Sequence, residues 1–98
     1  MSGDRKSSLT RTGIATLDYE LAEEMAVALG EAGRRAERAL ARLHAQAPDE
    51  ADPALLKAAA DAVYAYFIQR ELCGLKRHDA VIHDMGIPRK VLARLGSC

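Results

Sequence analysis

Proline is scarce in this chain, three residues in 98, and nowhere do apolar and polar residues alternate over the length of a strand. Both absences argue against a sheet, and abundant alanine points to helix nearly throughout. An excess of one charge is missing too. Fourteen Lys and Arg balance fourteen Asp and Glu, so the chain as a whole offers no attraction to nucleic acid, anionic lipid or an acidic partner, and any such binding must rest on a local patch. Long hydrophobic runs are absent as well. The longest, Ala62 to Ile68, has seven residues and is far too short to span a bilayer. The opening MSGDRKSSL lacks the apolar stretch of a signal peptide, and a cytoplasmic protein is expected. Two cysteines in such a compartment read as thiols rather than a bridge. Cys73 is expected to be buried and Cys98 to form only adventitious links between molecules.

Catalytic signatures are equally thin. No Gly-rich phosphate loop, G-x-S-x-G or Cys-x-x-Cys occurs. Cys73 and His78 suggest a nucleophile and base, but Gly74 interrupts any helix between them and no Asn or Asp is placed to orient the imidazole. His78, Asp79, His83 and Asp84 resemble a metal cluster, yet only Asp79 and His83 share a helix face, and two ligands are too few. The chain is therefore expected to be no enzyme and to bind neither metal nor cofactor.

What is present describes one domain: 49% apolar and 29% charged residues with no repeat or linker. Residues 1–15 are polar and aperiodic and read as a mobile tail, at most a weak phosphate-contacting arm; residues 16–98 form the single helical domain. Thr16 is the expected cap of a long helix ending near Ala47, where Pro48 stops it. Its apolar stripe runs through Leu21, Met25, Ala28, Ala32, Ala36, Ala39 and Leu43, with Leu17, Leu29 and Leu40 widening it. Asp52 and Pro53 start a second helix, which Gly74 ends after about Cys73. The pair should form an antiparallel hairpin. Because the second helix is the shorter, Leu17, Leu21 and Met25 need another cover, and the apolar residues between Leu75 and Leu95 are expected to supply it. The fold class is all-α: a long antiparallel helical hairpin capped by two short C-terminal helices, forming a dimeric bundle.

The segment HDAVIHDMGIPRKVLARLG, residues 78–96, has a second reading as a helix-turn-helix. With Gly86 in the turn, Val81, Met85, Ile87, Leu92 and Leu95 occupy the apolar packing positions, and Arg89, Lys90 and Arg94 point outward as nucleic-acid contacts. Against it stand the bulk of Ile82 where the two helices touch, the amide lost at Pro88, and a weak local charge. Gly followed by Ile-Pro is also an ordinary corner between helices. A DNA-binding regulator is thus the alternative to a non-catalytic interaction or scaffold protein.

Dimerisation has two candidate seams. AVYAYFI at 62–68 is apolar all round, and Tyr64 and Tyr66 suit an interface. The first helix is acidic in its first half, with Asp18, Glu20, Glu23, Glu24 and Glu31, and basic in its second, with Arg34, Arg35, Arg38 and Arg42 against Glu37 alone. Ala28, Gly30, Ala32, Gly33 and Ala36 lie between, and two such helices crossing antiparallel set acid against base. The helix dipole accounts for part of this order without any partner.

LDYELAEEM at 17–25, YFIQRELCGLKRH at 66–78 and GIPRKVLARLG at 86–96 together resemble a family of short all-helical bacterial proteins of unknown function, over about residues 17–96. The resemblance implies the helical fold and carries no activity, ligand or catalytic residue.

Overall fold

The computed structural model describes the backbone of residues 2–95 and the side-chain surroundings of residues 17–95 except Pro48. Four helices follow one another: α1 (Ser2–Ala45), α2 (Pro53–Leu72), α3 (Asp79–Asp84) and α4 (Arg89–Leu92), with one 3₁₀ turn, Pro48–Glu50, between the first two. α1 begins at Ser2, so Thr16 lies within the helix and does not cap it. No proline precedes Pro48, and nothing else in residues 2–15 terminates a helix outright. The tail expected over residues 1–15 is, from Ser2 on, part of α1; the phosphate contacts expected of its side chains, and the links expected of Cys98, lie outside the described residues.

The connection is built as its residues dictate. Asp52 caps α2, its Oδ1 accepting from the Ala54 amide at 2.9 Å, while its own amide donates to Gln46 Oε1 at 3.0 Å. Pro53 sits at the first helical position, where a missing amide costs nothing. α2 ends in a Schellman turn. Gly74, at φ +88°, lets its amide donate to the Glu71 carbonyl and the Leu75 amide to that of Arg70. The same device ends α3: Gly86 has φ +61°, and the Ile87 amide donates to the Ile82 carbonyl at 3.0 Å.

α1 and α2 pack antiparallel, with Gly33 against Tyr66 and the Met25 carbonyl 4.0 Å from Cys73 Sγ. Cys73 is half-buried, less enclosed than expected. Ala36, Ala59, Ala60 and Ala62 form much of the buried layer, and such small side chains let the two axes approach closely. Larger groups, Leu40, Leu43, Phe67, Ile87 and Val91, fill the space between the hairpin and the returning chain.

That return runs opposite to expectation. After Gly74 the chain folds back toward the closed end of the hairpin: Met85 shares a crevice with Leu40, Ala41 and His44, and Lys90 lies beside Gln46, Ala47 and Ala51. Leu17 and Leu21 are therefore not covered by residues 75–95; they stay 66% and 55% exposed, and Met25 is half-buried. The physical reason is the register of the hairpin. α2 stops level with Met25, and a segment reversing there has Phe67, Leu40 and Leu43 beside it, whereas on the other side lies one lone helix. Burial against two helices removes more apolar area than burial against one. The molecule measures 74 Å along its long axis and 26 by 19 Å across, because α1 continues as an arm beyond the end of α2.

Candidate interaction surface

At 100° per residue, Leu17, Glu20, Glu24, Ala28, Glu31, Arg35, Arg38 and Arg42 fall within about 80° of one another on α1, beside the stripe buried by α2. Their first half is acidic around an exposed apolar knob: Glu20, Glu23, Glu24, Ala28 and Glu31 surround Val27, which is 59% exposed. The second half borders a groove, where Arg35, Arg38 and Arg42 face Ala58, Ala62 and Ala65 of α2. Asp61, at the same groove, is tied at 2.8 Å to Lys57 one turn earlier. The ion pairs among the described residues are this one, His78 with Glu71 and His83 with Asp84; the acidic and basic groups of the α1 strip take no part in them.

The residues singled out from the sequence divide between core and surface. Ala32 and Ala36 are buried inside the chain's own hairpin, which removes them from any outer seam. Tyr66 is half-buried, its ring edge close enough that a Cβ on Gly33 would lie 3.2 Å from it, and Arg70 sits over its face at 5.8 Å. Ala28, like Tyr66, is half-buried and Tyr64 is exposed, so three of the five interface candidates reach the surface. Around Tyr64 on α2, Ile68 and Leu72 are exposed as well.

Arg89, Lys90 and Arg94 are all exposed. They stand on or just after α4, which is a single turn of four residues, about 6 Å of helix against a major groove about 12 Å wide. Val91 of that turn is fully buried and packs α4 on α2. The apolar positions of the helix-turn-helix pattern are thus occupied by residues that close the hairpin.

One constellation escaped the sequence reading. His78 stacks flat on Phe67, with ring centroids 4.2 Å apart and planes inclined by 8°. Its Nδ1 accepts from Arg70 Nε at 3.0 Å, and its Nε2 lies 3.1 Å from Glu71 Oε2. Arg70 also donates through Nη2 to the Arg77 carbonyl at 2.8 Å. A guanidinium only donates, so Nδ1 must accept and the ring proton belongs on Nε2, directed at Glu71. The arrangement clamps the chain just after its reversal. Its signal is RELCGLKRH, in which partners seven and eight residues apart meet across a glycine turn. Neither His78 nor His83 approaches a second potential ligand set, and no group of three His, Cys, Asp or Glu converges among the described residues.

These features define an all-α protein: an antiparallel hairpin closed at one end by two short helices and extended at the other by a single-helix arm. The chain belongs to DUF6665, a family of unknown function whose model matches residues 6–98. Comparison with curated proteins finds no match, and comparison with solved structures finds none either. Among the described residues no helix is long and apolar enough to cross a membrane.

Proposed function

We propose that this protein is a non-catalytic helical interaction module that works as a homodimer. One observation carries the reading. α1 outruns α2 at Met25 and leaves Leu17 and Leu21 on a lone helix, 66% and 55% exposed, while the returning segment is engaged at the far end. Apolar side chains recurring along a projecting helix face are what a helical partner buries. A second copy is the partner favoured by charge, because the arm is acidic from Asp18 to Glu24 and the groove beside α2 is basic on every chain. The absence of a catalytic signature in the sequence supports the non-catalytic part of the proposal.

The test is molar mass in solution. Light scattering at about 100 µM, where a complex with a Kd of about 10 µM is largely formed, is expected to return twice the 10.6 kDa of the chain. A mass of one chain at that concentration overturns the proposal.

A further inference from the structure

We infer that the two copies meet along the α1 strip, antiparallel about a two-fold axis, with the acidic half of each strip seated on the other's basic groove. This rests on the homodimer reading and specifies its surface. Two observations point to the same occupant. The strip from Leu17 to Arg42 changes sign once, between Glu31 and Arg35, and the described structure pairs none of its charges internally. A surface acidic in one half and basic in the other is complementary to itself only when turned end over end, which is the operation of a two-fold axis.

The geometry sets the register. An axis between Ala28 and Glu31 brings Glu24 of one copy opposite Arg35 of the second, and Glu20 near Arg38. Ala28 at the crossing lets the helices come close, and Leu17 lies over the aliphatic stem of Arg42, which long basic side chains present to apolar neighbours. The parallel arrangement instead sets Glu24 on Glu24 and Arg38 on Arg38.

Size shows that α2 takes part. The 26 residues from Leu17 to Arg42 span about 38 Å and the strip is about 10 Å wide, so two α1 strips alone bury about 760 Å², short of the roughly 1,200 Å² of a stable specific interface. Ala58, Ala62 and Ala65 line the other wall of the groove, and their small side chains leave room for Leu21 of the incoming arm. The resulting assembly is a four-helix layer in which each arm lies against the other copy's hairpin.

The experiment uses two charge-reversed full-length chains. One carries Glu20→Arg and Glu24→Arg, leaving Glu31 as the one acid of its strip; the other carries Arg35→Glu and Arg38→Glu, leaving Arg42 as the one base of its strip. All four positions are exposed. Each variant alone is expected to dimerise at least about 100-fold more weakly than the native chain, since like charges then face each other. Their equimolar mixture is expected to form a heterodimer at native strength, because both halves of an antiparallel pair become acid against base. If each variant alone dimerises within about threefold of the native chain, the seam lies elsewhere: this inference fails and the homodimer reading stands. If the native chain is monomeric, both fail. If both variants retain the native helical circular dichroism yet the mixture stays monomeric, the complementarity is wrong. Should either reversal lose helicity, Glu20→Gln with Glu24→Gln replaces it. The expected effect is then about tenfold weaker dimerisation, and no weakening overturns the inference.

Discussion

His78 holds the reversal of the chain. Its side chain is only 13% exposed, stacked on Phe67 and hydrogen-bonded at both ring nitrogens by the neighbouring residues Arg70 and Glu71. Removing it loses the stack and leaves a guanidinium nitrogen without its acceptor. His78→Ala is therefore expected to lower the stability to unfolding by about 2 kcal/mol. His83, five residues on, is 91% exposed and lies 3.5 Å from Asp84, itself exposed, a contact that salt and solvent weaken to little. His83→Ala should leave the thermal midpoint unchanged. Thermal unfolding of the two variants side by side checks this, and equal effects would show that the clamp contributes nothing. Gly33 carries a related lesson. Its helix-weakening cost invites explanation by a second copy, but the neighbour that needs the space is Tyr66 of the same chain.

Among the elements, the hairpin was legible because its punctuation is chemical. Asp52 before Pro53 can cap a helix whatever surrounds it, and Gly74 and Gly86 both adopt the left-handed turn that follows α2 and α3. The start of α1 was not legible, since residues 2–15 offer several possible caps, Ser2, Asp4, Ser7, Ser8, Thr10 and Thr12, and no proline to exclude an earlier start. Nor was the direction of residues 75–95. Leu75, Val81, Ile82 and Ile87 are apolar enough to cover either end of α1, and periodicity does not say which. The choice depends on the second wall that α2 supplies at the closed end, a long-range fact. Of the interaction surface, the charge order along α1 was legible, but its exact face was not: Ala32 and Ala36 share the helix with the strip yet belong to the core. The direction of the return has a measurable consequence. Ile87 is buried between the hairpin and α4, so Ile87→Ala is expected to cost about 2–4 kcal/mol in denaturant unfolding. Leu21→Ala, on the bare arm, is expected to shift the monomer by less than about 0.5 kcal/mol. A reversed order of the two would put the returning segment back over the arm.

At the scale of the whole molecule, zero net charge conceals a separation: α1 is acidic from Asp18 to Glu24 and basic from Arg34 to Arg42, so the proposed dimer is favoured in one orientation. This separation makes the distance between copies a direct readout of the seam. In the antiparallel register centred between Ala28 and Glu31, Ala45 lies about 15 residues from the axis in each copy, and the two Ala45 positions are about 50 Å apart along the helices. If only the arms paired, centred on Leu21, the same positions would be about 70 Å apart. Ala45 is exposed at the last turn of α1, which allows a spin label there without touching the strip. With Ala45→Cys in a chain also carrying Cys73→Ser and Cys98→Ser, pulsed electron paramagnetic resonance is expected to give one distance near 50 Å. A distance near 70 Å would leave a dimer joined by its arms alone and the basic grooves unoccupied. At about 0.5 M salt, where screening shortens the reach of each charge to a few ångströms, the 50 Å population should fall as the dimer dissociates. An arm pair held by Leu17 and Leu21 would persist there, because burial of apolar surface is not screened.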